Sequence, residues 1–148
     1  MASINTIPNE FFYQNGIGGN DFSSDTYKVV FLSSGFTFDK NTHGTYSDIS
    51  GEEITSNGGY PVGGYTLNTN SAWTQNNTDN NAQITWEEVI ITASGGAFDT
   101  FCATAVYNDT NGVKVLVGCT EFGEDITIED GKSFVVQDLG FNSAAKVV

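Results

Sequence analysis

Arginine is absent from this 148-residue chain; its 5 basic residues are the lysines Lys28, Lys40, Lys114, Lys132 and Lys146, set against 18 acidic residues for a net charge of −13. Phosphate recognition needs bidentate guanidinium forks and several cations neutralising several phosphates, so the expected partners include no nucleic acid. An anionic membrane surface is disfavoured on the same ground. Histidine occurs once, as His43, and cysteine twice, as Cys102 and Cys119, a set too small for a zinc site. No apolar run is long enough to cross a bilayer as a helix. The opening Met1-Ala2-Ser3-Ile4-Asn5-Thr6-Ile7-Pro8 has neither the charged nor the apolar region of a secretion signal, so the chain is expected to stay where it is made. No segment repeats apolar residues at helical spacing over three turns, which leaves no long helix.

What is present reads as short strands and turns. Tyr27 to Ser33, Ala82 to Trp86, Val89 to Ala93 and Phe101 to Tyr107 are rich in β-branched and aromatic residues. Tyr46 to Thr55 alternates weakly, and Tyr65-Thr66-Leu67 follows a glycine-rich turn. Asn108 to Gly112 is the expected loop of a hairpin whose second arm is Val113 to Cys119. Symmetric pairing about that loop sets Cys102 opposite Gly118; a bulge or another register would bring the two sulfurs together, and otherwise both are small core residues. Asp130-Gly131 is the expected turn of a second hairpin joining Ile126-Thr127-Ile128 to Ser133–Val136. The asparagine-rich Thr69 to Asn81 segment is a loop or an exposed edge. The expected fold is a single all-β domain, an antiparallel sandwich or barrel, over residues 26–148 with a short C-terminal tail. Residues 1–25 are expected to form an irregular N-terminal arm, whose aromatic trio Phe11, Phe12 and Tyr13 needs a surface to cover it.

Candidate chemistry is thin. Asp39, His43, Ser47 and Asp48 contain the residue types of a nucleophilic site, yet Asp39-Lys40-Asn41-Thr42-His43-Gly44 is turn chemistry and the chain has no Gly-x-Ser-x-Gly elbow. Glu52-Glu53 and Glu87-Glu88 are neighbours in sequence, which a strand would point to opposite faces. Asn76 to Asn81 and Glu121 to Asp125 offer hard oxygen ligands without the spacing of a calcium loop, and Trp73, Tyr60 and Tyr65 could stack on a sugar. The reading is no catalytic, metal or cofactor site, with Asp39, His43, Asp48, Gly63 and Gly64 shaping turns.

Several spaced motifs agree in order with a group of small tailed-bacteriophage virion proteins. Phe36-Thr37-Phe38-Asp39, Thr42-His43, Tyr46-Ser47-Asp48-Ile49, Glu53-Ile54 and Gly58-Gly59-Tyr60-Pro61-Val62-Gly63-Gly64 resemble that group's first half. Ile84-Thr85-Trp86, Tyr107-Asn108-Asp109-Thr110 and Phe122-Gly123 resemble its second, and the likeness spans about residues 26–138. The resemblance implies a non-enzymatic structural component, a capsid decoration or cement protein that stabilises the outer shell. Its expected partners are the major capsid protein, other virion proteins and further copies of itself, on a virion assembled in the host bacterial cytoplasm. A tail or head-fibre component, or a module binding host-surface glycans, is the alternative. On this reading Phe11, Phe12 and Tyr13 dock on a neighbour, and removing residues 1–20 would leave the body folded.

Overall fold

Strands β2 (Tyr27–Ser33) and β7 (Phe101–Asn108) are buried along nearly their whole length, the pattern of strands covered on both faces. The computed structural model, which describes residues 4–143, shows what covers them. Besides these two, the strands are β1 (Ile4–Thr6), β3 (Tyr65–Thr66), β4 (Thr69–Asn76), β5 (Asn81–Trp86), β6 (Val89–Thr92), β8 (Leu116–Ile126), β9 (Ser133–Val136) and β10 (Gly140–Ser143). Two short helices, α1 (Asn9–Gly16) and α2 (Tyr46–Ile49), interrupt them. A five-stranded sheet in the order β1-β8-β7-β2-β3 forms one layer. Two smaller sheets, β10-β5-β4 and β6-β9, form the other, and every pairing is antiparallel. The fold is all-β and sandwich-like.

Alternation along β2 separates two cores. Val29 and Phe31 face the smaller sheets with Trp86, Phe101 and Phe141, while Val30 and Leu32 face the Phe36 to Gly64 connection with Ile49, Ala105 and Leu116. At about 1.5–3 kcal/mol for each large apolar side chain buried, these two layers supply the main driving force of folding.

Residues 4–25 are not an irregular arm. β1 pairs with β8, Ile4 opposite Glu121, and α1 buries Phe11 completely, its ring 4.9 Å from that of Phe141. Residues 4–20 therefore pack as part of the body, and a deletion that includes them would remove a sheet edge and a core aromatic. The Pro8 φ of −71° suits the start of a helix, and the Gly19 amide closes its end on the Gln14 carbonyl at 2.7 Å. The tail beyond Ser143 lies outside the described residues; just before it, β10 pairs with β5.

Other expectations are corrected in the same way. Tyr46 to Glu52 is helical turn rather than strand, because Asp48 Oδ2 accepts from the Thr45 amide at 2.8 Å and the Gly44 amide at 3.0 Å, nucleating α2, while Glu53 bridges Leu32. The β7–β8 loop runs from 109 to 115, so Cys119 faces Ala105 and Cys102 sits at a bulge between Phe101 and Ala103. Buried Asn108 sets that register, its Oδ1 accepting from the Thr110 and Asn111 amides at 2.9 Å while its Nδ2 donates to Asn20 and Asp25. Both thiols are free, and Cys102 donates to the Ser33 carbonyl at 3.3 Å. The Asp130-Gly131 turn exists, Lys132 N donating to Glu129 O at 2.9 Å, but it carries the chain across to the other layer. β9 pairs with β6, and Ile126 remains opposite Phe101. The Thr69 to Asn81 segment is the exposed edge strand β4 and its turn into β5.

Candidate assembly site and the turn that carries it

Asp39 organises its turn from both ends. Its carbonyl accepts from the His43 amide at 2.8 Å and its Oδ1 from the Asn41 amide at 2.9 Å. His43 closes the loop by accepting the Asp39 amide on Nδ1 at 2.9 Å, and its ring lies 5.3 Å from Phe36 and 5.7 Å from Phe38. Ser47 Oγ lies 3.1 Å from Thr45 Oγ1, and Asp48 is occupied by the α2 cap. The structure thus brings Asp39 and His43 together as a brace, with Asp48 next to them as a helix cap. His43→Ala is expected to cost about 1 kcal/mol, the net worth of one hydrogen bond, read as a lowered denaturation midpoint.

This turn is also the mount for α1. Asn9 donates from its amide to the Lys40 carbonyl at 3.1 Å and from Nδ2 to Asn41 Oδ1 at 2.8 Å. Gly44 lets the helix close in, since a Cβ there would come within 2.6 Å of Glu10 Cβ. With Phe11 at 0% exposure and Gln14 bonded to Glu10, the inward face is fixed. Phe11 is consequently no assembly contact. Phe12 at 60% and Tyr13 at 62% exposure stand outward on the same short helix, and Ile17 at 62% does so at its C-cap. Ile17, missed in the sequence, was signalled by its spacing four residues after Tyr13. Together the three form an exposed apolar patch on α1 and its C-cap.

The rest of the connection is held by a carboxylate hub. Glu53 accepts from the Tyr46 hydroxyl, from the Tyr60 hydroxyl at 2.7 Å and from the Gly63 amide at 2.8 Å. Tyr107 stacks on Tyr46 at 4.6 Å and donates to the Gly63 carbonyl at 2.7 Å. Burial first, then the charges of Asp109 and Glu53, push the Tyr107 phenol up to about 12. Burial and the bond to Glu53 raise Tyr46 and Tyr60 as well, so all three phenols remain neutral donors. Gly64 lies against the Val29 carbonyl and Gly63 in open space, both at positive φ.

The remaining candidates are dispersed. Tyr60 is buried in the hub's core, and Trp73 stacks on Phe22 at 4.9 Å. Asn76 Oδ1 accepts from the Thr78 and Asp79 amides as a turn former. Among the described residues no three His, Cys, Asp or Glu side chains group around a metal position. Two carboxylates are tied to turns instead: Asp99 accepts from Thr55 Oγ1 at 2.6 Å, from the Thr55 amide at 2.8 Å and from Asn57 Nδ2 at 2.8 Å. The Thr55 hydroxyl, then Asn57, holds Asp99 below the usual carboxylate range; at Asp48 burial opposes ionisation but the Thr45 and Gly44 amides outweigh it. Because both pKa values are depressed on folding, the stability they add is full above the unfolded value of about 4 and is lost as pH falls through the folded values. The melting temperature is expected to drop on acidification below about pH 4, and Asp99→Asn to flatten that slope.

No protein-family model, curated protein or solved structure matches the chain.

Proposed function

We propose that this chain is a non-enzymatic structural protein of a tailed-bacteriophage virion, a decoration or cement protein bound to the outer capsid shell. The observation that carries the reading is what the virion-like motif residues do. Of these, Asp39 and His43 close the turn, and the Lys40, Asn41 and Gly44 that the turn carries seat α1, so that Phe12, Tyr13 and the C-cap Ile17 stand outward. A motif that encodes a mount for an apolar contact suits an assembly protein, whose major capsid partner would cover these side chains. Many copies on one particle make modest individual contacts sufficient through multivalency. The arginine-free, acidic chain suits the outside of a shell whose packaged nucleic acid it does not touch.

Copy number tests the proposal. Densitometry of purified particles is expected to give hundreds of copies; about three to a few dozen, in multiples of three or six, would instead mark a tail or fibre component. Replacing Phe12 and Tyr13 together by glutamate is expected to abolish incorporation while the cooperative melt stays intact, since both are exposed. Full incorporation of that double variant would overturn the assignment of α1 as the contact.

A further inference from the structure

The second layer of the sandwich is split, and the split leaves a cleft. Sheets β10-β5-β4 and β6-β9 do not pair with each other, and the strap Gln137–Asp138–Leu139 is the covalent bridge from β9 to β10. Beneath it lies a cleft of about 520 Å³ floored by Val106 and Val117 and walled by Trp86, Phe134 and Phe141. A second hollow on the other side of the strap shares Trp86 and Leu139 with it, so the strap has open space on both flanks. One backbone bond, Trp86 N to Leu139 O at 2.9 Å, ties the strap down, and Asp138 within it adopts a left-handed φ of 58°.

We infer that this cleft is a binding site for a neutral, mainly apolar small molecule carrying a hydroxyl or carbonyl group. Its volume falls among small-molecule sites, which span roughly 300–1,000 Å³. Charge decides the class of ligand. Asp138 is the one ionisable carboxylate among the lining residues, the chain carries −13 overall, and no cation lines the walls. An anionic ligand would meet repulsion with no partner, and a cationic one would leave water for an apolar wall. Polar groups of the five-stranded sheet in the lining include the hydroxyl of Thr104, which is 3% exposed, and the side chains of Asn5 and Thr120, where the Thr120 hydroxyl donates to Asn5 Oδ1 at 2.8 Å. A few polar groups in an apolar site fix a ligand's orientation. The site uses none of the outward side chains Phe12, Tyr13 and Ile17 and does not rest on the shell assignment.

The test uses the full chain and the neutral fluorophore N-phenyl-1-naphthylamine. One probe per chain is expected to bind with a Kd of about 1–10 µM and to accept energy transfer from Trp86, with 1-decanol displacing it. Val117→Phe, which fills the floor, is expected to weaken binding at least tenfold, and Val62→Phe, on an exposed turn, to leave it unchanged. Thr104→Val is expected to weaken decanol competition by about twofold to tenfold, the loss of one hydrogen bond. The proposal is overturned if no saturable binding occurs up to about 100 µM. It is equally overturned if Val117→Phe melts cooperatively and binds like the parent. Should that variant fail to fold, stoichiometric displacement from the unmodified protein decides, and failure of decanol to compete refutes the site.

Discussion

Phe11→Ala is expected to lower stability by about 3–5 kcal/mol, the range for truncating a fully buried aromatic, while Phe12→Ala changes it by less than about 0.5 kcal/mol. The two residues are adjacent, so composition and position in the chain are held constant and only burial differs. Phe11 contacts Phe141 and Phe22 edge-on or tilted, and Phe22 stacks in turn on Tyr27 and Trp73. Removing its ring opens a hole beneath a chain of aromatics that links α1, β2, β4 and β10, and no single side chain there can collapse to fill it. Urea denaturation of the two variants with equal m-values is the measurement. Equal midpoints would mean that α1 does not dock as described. A chain lacking residues 1–20 is expected to lose its cooperative transition, so loss of particle binding by that truncation would report unfolding rather than a missing contact.

Gly64→Ala is expected to be more damaging still, at about 4 kcal/mol or above, which for a domain of this stability means little folded protein at 37 °C. A Cβ at Gly64 would run into the Val29 carbonyl oxygen and lie 2.8 Å from Val29 C and Val30 Cγ1, at a φ of +90°. β2 lies inside the sheet between β7 and β3 and both its faces are packed, so its backbone has nowhere to retreat. Gly63→Ala supplies the comparison: its φ is +98°, but nothing lies within 4 Å of the added carbon. That change is expected to cost only the left-handed backbone term of about 1–2 kcal/mol. Soluble yield and melting temperature of the two single variants separate a clash from a conformational preference; similar values would refute the close approach of Gly64 to β2.

The central strands were legible because their physics is local. Tyr27 to Ser33 and Phe101 to Tyr107 carry continuous β-branched and aromatic residues, and no tertiary contact was needed to read them as strands. The turn at Asp39 and His43 was legible for the same reason, since its hydrogen bonds close within five residues. α1 was not legible: eight residues followed by a glycine-rich stretch are too short to be helical alone, and what fixes them is Phe141 near the other end of the chain. The β7–β8 register depended on Asn108 reaching Asn20 and Asp25, a contact no hairpin rule contains. β9 was assigned to the wrong partner because an Asp-Gly turn tells that the chain reverses, not which strand it meets. At the candidate site Phe12 and Tyr13 were visible as aromatics, but only burial separated them from Phe11.

The β1–β8 pairing has a consequence for synthesis. Asn5 and Thr120 hydrogen-bond across 115 residues of chain, so β1 leaves the ribosome long before its partner strand. At about 5–20 residues per second, Phe11, Phe12 and Tyr13 wait roughly 6–20 s before β8 exists to receive β1, and that high contact order slows folding afterwards. During this interval the nascent chain shows all three aromatics rather than two, and the acidic residues that repel one copy from another also keep these early segments from meeting.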